Sequence, residues 1–183
     1  MVELILKDIM EVAGYLPISI LCGLAAVIIY FVFVYVAGKS RKSHSEEQQA
    51  WKTGNVIKSV VLFMLIVYMV VLVITVFFSR EPGSRQGVDM TFLGTWGVTP
   101  QEHAFVIENI LLFVPFGILF PAATSDRLGK YTIIIGALVS VLIESVQLLT
   151  QRGYCQLDDV VMNTFGTILG FLLWKACVAL KTR

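Results

Sequence analysis

Apolar residues run through this chain in long blocks, and polar residues gather in the gaps between them. Windows of about 20 apolar residues, the length that crosses a bilayer as a helix, fall at 15–37, 57–78, 104–121, 131–150 and 158–178. The pattern predicts an all-α fold, a polytopic transmembrane helix bundle of about five spans. No room is left for a soluble domain, so 1–183 reads as a single membrane domain. Ahead of the first block, Glu3, Lys7, Asp8 and Glu11 share one arc of a helix with Val2, Ile5, Leu6, Ile9, Met10 and Val12 opposite. That predicts an interfacial helix lying on the outer membrane surface. The start is acidic and no small-residue cleavage site follows, unlike a signal peptide.

The stretch 140–170 carries more polar groups than an apolar hairpin needs. On a helix, Ser140, Glu144, Gln147 and Gln151 lie at offsets 0, 4, 7 and 11, one narrow stripe. Asp159, Asn163, Gly166 and Gly170 repeat those offsets on the next helix and end in a GxxxG, which lets another backbone approach closely. A short loop makes the two helices neighbours, so one stripe is expected to face the other. Pro115, in the middle of the third span, frees a carbonyl that a neighbouring helix must satisfy.

Composition agrees with the pattern: 57% of residues are hydrophobic, 15% are charged, and mean hydropathy is +0.81. The net charge of +1 gives no signal for nucleic acid. Cys22, Cys155 and Cys177 are scattered, with no CxxC and no histidine at metal spacing, so neither metal nor cofactor is expected. Lysine and arginine set the orientation. Ten lie on one side, in the first connection, the third connection and the tail; Lys7, Arg80, Arg85 and Arg152 are the four on the other. The N-terminus, second connection and hairpin loop are therefore expected outside and the tail in the cytoplasm.

At 1.5 Å per residue, Glu108 and Asn109 come about 6–8 Å below the outer start of their span, Glu144 about 9 Å and Gln147 about 4 Å below the outer end of theirs. Asp158, Asp159 and Asn163 begin the last span, so all of these polar groups belong to the outer third. The inner half has almost none. Intramembrane ionisable residues usually face a bundle interior or a wet cavity, although hydrogen-bonded glue between helices accounts well for Ser140, Gln147 and Asn163. Arg80 reads equally as a snorkelling end-cap or as a partner for the acids of the hairpin.

These residues resemble the VanZ-like family of small bacterial membrane proteins. The motifs are N-x-L-x-F-x-P-x-G from Asn109 (109–117), E-x-x-Q at Glu144 and Gln147, and Arg152 followed by D-D-x-x-x-N-x-x-G from Asp158 (158–166). Arg80, closing TVFFSR, is similar to the family's arginine before its first outer loop. The resemblance covers about 75–180, within a four-span core at 56–180, and leaves 1–55 aside. Two departures are Gln156, where family members often carry an acid, and the loop 89–99, which fits poorly. The resemblance implies a multi-pass protein of the bacterial cytoplasmic membrane linked to tolerance of teicoplanin-type lipoglycopeptides or other envelope-directed agents.

Two functions compete. In one, the outer cavity binds a lipid, a lipid-linked envelope precursor or a lipophilic antibiotic of the outer leaflet. In the other, a membrane-embedded enzyme works on such a substrate. There Glu144 and Asp159 supply acid-base chemistry, Arg80, Arg152 and Asp158 bind, and Asn109, Gln147 and Asn163 position. Transport ranks behind both, because the apolar inner half offers no path. The charge split makes a first test: an impermeant thiol reagent on intact cells should modify Cys155 in the hairpin loop and spare the tail. The opposite pattern would invert the topology.

Overall fold

Each apolar block is a helix, and the computed structural model describes residues 2–38, 45–78, 83, 87–92, 94, 99–124 and 126–181. In chain order these are α1 (Val2–Ala13), α2 (Leu16–Gly38), α3 (Ser45–Val73) running on into a π turn (Ile74–Phe78), and α4 (Pro100–Ala123). The short α5 (Asp126–Gly129), then α6 (Thr132–Thr150) and α7 (Leu157–Lys181) complete the helices. Four stretches are long and apolar enough to cross a membrane: Ser59–Phe78, Pro100–Ala123, Thr132–Thr150 and Leu157–Leu180. The pair α1–α2, bent by 44°, passes the same test only when its two helices are taken as one broken span. Large apolar side chains such as Ile134, Leu138, Leu142 and Leu172 stand exposed on the outside of the bundle. A surface of that kind is solvated by lipid, and the chain is a multi-pass membrane protein.

α1 packs against the bundle. It breaks from α2 at Gly14 and Tyr15 and leans on α4, with Asp8 turned toward the bundle and Leu6, Ile9 and Met10 exposed. Of the polar arc only Asp8 is half-buried, while Glu3, Lys7 and Glu11 are exposed; of the apolar arc Ile5 and Val12 are half-buried. Thr99 starts α4 with a capping box: its hydroxyl accepts the Glu102 amide at 3.3 Å, and its own amide donates to the Glu102 carboxylate at 2.9 Å.

The tightest packing joins α4 to α7. A Cβ on Gly166 would fall on the Ile110 carbonyl oxygen, one on Gly170 on that of Val114, and one on Gly117 on that of Thr167. The glycine stripe of α7 therefore seats α4, a parallel neighbour, and not the hairpin partner α6 that the spacing predicts. α6 packs on another side of α7, where Gly136 makes room for Thr167 and the Asn163 amide donates to Ser140 Oγ at 2.8 Å. The facing polar stripes are thus met only in part, because α7 is sandwiched and divides its small and polar residues between two partners.

Leu72, Val76, Phe113, Phe116 and Ile143 form the core between α3, α4 and α6. Near Pro115, Tyr68 Oη donates to the Leu112 carbonyl at 2.9 Å, one residue after the Leu111 carbonyl that the proline leaves without its helical donor. Gln151 is not the last member of the Ser140 stripe. α6 ends there in a left-handed cap (φ 55°), with the Arg152 amide returning to the Gln147 carbonyl at 3.0 Å. Two short strands then tie the loops together, β1 (Val88–Asp89) pairing in parallel with β2 (Cys155–Gln156).

Gly166→Ala should cost about 1–3 kcal/mol, the usual penalty for overpacking, and Gly166→Leu should lower the folded yield further. Thermal melting in detergent reads this, with the exposed Leu149→Ala as control. A Gly166→Leu protein that melts like the wild type would show that α4 does not press on this face.

Candidate functional site

Helix ends leave carbonyls that need partners, and the end of α3 finds them on α6. Gln147 Nε2 donates to the Val76 carbonyl at 3.4 Å, and Arg152 Nη1 donates to the carbonyl of Phe77 while its guanidinium lies 5.5 Å from the Phe78 ring centroid. A cation at a helix C-terminus also meets the negative end of the dipole. Arg152, expected to bind ligand, is thus engaged in holding α3 to α6. Arg80 lies outside the described residues.

One turn below, Glu144 is almost fully buried and its Oε2 accepts the backbone N–H of Gln156 at 3.0 Å. On α7, Asp159 Oδ1 accepts from Asn109 Nδ2 of α4 at 2.7 Å, and Thr167 Oγ1 donates to the Asn163 carbonyl at 3.0 Å. Asp158 is also buried, and Gln147 Oε1 and Asn163 Oδ1 are buried acceptors without a hydrogen-bond partner. The structure brings Asn109 and Asp159 together and joins Asn163 to Ser140; Glu144 faces the loop backbone.

Next to this network is a cavity of about 770 Å³. Its wall comes from Asp8, Glu11 and Val12 on α1, Tyr15 at the α1–α2 break, Thr75 in the π turn, and Asp89 and Gly94 in the second connection. Six residues of α4 from Gln101 to Asn109 join them, with Tyr154 and Gln156 of the hairpin loop and Asp159 of α7. Of the expected site residues, Asn109 and Asp159 line it. Glu144, Gln147, Asp158 and Asn163 are not in the wall; Glu144 reaches it only by holding Gln156. Gln156, the departure from the family pattern, is itself a wall residue.

Several wall residues lie outside the site residues read from the sequence. Asp8 and Glu11, which read from sequence as the polar arc of an interfacial helix, both line the cavity. Glu108 falls in the outer third of its span but not among the site residues; it lines the cavity with Asp8, and its Oε1 is buried without a hydrogen-bond partner. Glu102 is legible in T-x-x-E as a cap. Asp89 had no periodic signal. The Thr91 amide, donating at 2.9 Å, and the Thr91 side chain hold the Asp89 carboxyl below its usual range.

Burial, and after it the Glu144 carboxylate, push the Cys155 thiol above its ordinary range. Because the thiolate is the reactive form, alkylation of Cys155 should be slower at neutral pH than that of an exposed cysteine and should rise at higher pH. Glu144→Gln removes one cause and should speed alkylation severalfold. An unchanged rate would mean that Glu144 carries no charge near the sulfur.

Among known proteins, the chain is similar to Protein VanZ of Enterococcus faecium, 30% identical over 71 residues, which are 38% of this chain and 43% of that protein. The match thus spans less than half of that relative. No solved structure matches the chain. The VanZ/LLP1 family model matches residues 18–179, taking in α2 and α3 as well as the later stretch that carries the motifs. With nearly its whole length matched, the chain belongs to the VanZ/LLP1 family.

Proposed function

We propose that this protein is a binding protein of the bacterial cytoplasmic membrane. Its cavity opens to the outer leaflet, holds a lipid-like ligand, and contributes to tolerance of lipoglycopeptides or other envelope-directed agents. The ligand is an envelope lipid, a lipid-linked precursor or the lipophilic drug itself. One observation carries the reading: groups from α1, the second connection, α4, the hairpin loop and α7 converge on one cavity. The lysine and arginine split supports an outward-facing mouth, and the Protein VanZ relative supports an envelope role.

Binding is preferred to catalysis on geometry. An acid-base mechanism needs Glu144 and Asp159 to reach one substrate, whereas Glu144 Oε2 is turned to the Gln156 amide and only Asp159 lines the cavity. Binding asks less: a shaped, partly apolar cavity with a few placed polar groups.

Asp159→Asn keeps shape but removes charge, and a hydrogen bond to a charged group is worth roughly 1.5–3 kcal/mol. The variant should reach the membrane at normal abundance and lose ligand affinity about ten- to a hundredfold, with a matching loss of tolerance. Mass spectrometry of co-purified lipid reads occupancy and shows whether the ligand is altered. Full tolerance at equal abundance would remove the cavity from the function, and a chemically changed ligand would restore the enzyme.

A further inference from the structure

The second connection holds an apolar segment that no helix absorbs, GVDMTF at 87–92. It is tied to the hairpin loop: β1 pairs with β2 through Val88 with Cys155 and Asp89 with Gln156, and the Cys155 amide donates to the Gly87 carbonyl at 3.0 Å. Just upstream, the Gly83 amide donates to the Gln151 carbonyl at 2.9 Å. These partners fix the depth of β1. Gln156 directly precedes Leu157, where the last apolar span begins, and its amide is held by Glu144 Oε2. Glu144 lies about 9 Å of helix below the end of α6 at Thr150. Side chains lean toward the N-terminus of their helix, so the carboxylate keeps the Gln156 amide beneath the last turn of α6. Paired strands lie about 4.8 Å apart, which places β1 beside the first turn of α7 and not in water above the bundle.

Val88, Met90 and Phe92 are each more than half exposed, whereas Asp89 is half-buried and lines the cavity. Successive residues of an extended chain point to opposite sides, so the segment turns its one charge inward and its large apolar groups outward. A strand edge that meets water ordinarily carries charge or proline against unwanted pairing, and the outer side of this one carries neither. Its backbone is satisfied locally, as a chain at membrane depth requires: the Thr91 amide donates to Asp89 Oδ1 at 2.9 Å and the Gly94 amide to the Thr91 carbonyl at 3.4 Å. The apolar surface continues on the adjoining helix ends. Leu149 in the last turn of α6 is 82% exposed, and Phe78, overlain by the Arg152 guanidinium, is 69% exposed. Tyr154, packed beside Gly87, adds a ring of the kind that collects at a membrane interface.

We propose that the 87–92 segment is seated in the bilayer, with Val88, Met90 and Phe92 against the upper acyl chains of the leaflet at the hairpin-loop end and Asp89 turned to the cavity. Its partner is lipid, because its exposed face continues the lipid-solvated flank of α6 at the depth where α7 enters the membrane. The cavity wall at Asp89 and Gly94 then borders the bilayer and not water. This seat is independent of what the cavity holds.

The test uses the full wild-type chain in vesicles of phosphatidylcholine and phosphatidylglycerol. Two photoreactive diazirines are compared, one on an upper acyl-chain carbon of a phospholipid and one on a small water-soluble alcohol, with a soluble peptide added as the control for the second. Peptide mass spectrometry reads the labelled positions. The lipid reagent should label Val88, Met90 and Phe92 to the extent that it labels Leu149, and about tenfold more than the water-borne reagent does, as for apolar side chains sunk in the interface. Equal labelling by the two reagents, or preference for the water-borne one, would make the segment an aqueous cap and overturn the proposal. Labelling by neither, with Leu149 labelled normally, would mean that protein covers the patch, and would overturn it as well. Because the wild-type protein carries the readout, no folding defect of a variant can imitate either result.

Discussion

Everything at the loop end of the bundle depends on how closely α4 and α7 touch. Gly117, Gly166 and Gly170 remove the side chains that would keep the two backbones apart, and carbonyls of one helix rest where a Cβ of the other would stand. In lipid the hydrophobic effect does not draw helices together, so close van der Waals contact has to do it. At that distance Asn109 and Asp159, about two turns above the glycines, have no freedom to miss each other, and they meet at 2.7 Å. α6 then closes on the opposite side through Ser140, Gly136 and Thr167. The polar network is as well placed as it is because small residues below it fix the axes.

The second constraint is the cost of charge in a membrane. Asp8 is the half-buried carboxyl of α1 and lines the cavity, while Leu6, Ile9 and Met10 stay exposed. The same rule explains Arg152 and Gln147. Both complete the hydrogen bonding of the π turn that ends α3, where backbone carbonyls would otherwise face an apolar neighbourhood.

The helices were legible because each span is long and continuously apolar, and their ends fall close to the windows read from sequence. The polar residues of the hairpin were legible too, since helical spacing collects them. What spacing does not encode is the partner. A GxxxG face states that a backbone comes close, not whether it belongs to α6 or α4. The helix end at Gln151 was hidden because glutamine, not glycine, takes the left-handed cap. The β1–β2 pairing involves only two residues on each side, too few for an alternating pattern to register. α1 was recognised as amphipathic, but that Asp8 lines the cavity was hidden, because the arc alone does not name a partner.

Glu144 shows how a buried acid serves a cavity without lining it. Its carboxylate accepts the Gln156 amide, and the next residue back, Cys155, donates its amide to Gly87. The hairpin loop is thereby held to α6 on one side and to the second connection on the other. Gln156 and Tyr154, which flank that attachment, are wall residues. The depth of Glu144 within α6 therefore sets the height of one wall, while the α4–α7 contact sets the position of the wall opposite. Two features that look independent in the sequence, an acid inside a span and a glycine stripe in the next, fix the two sides of the same space.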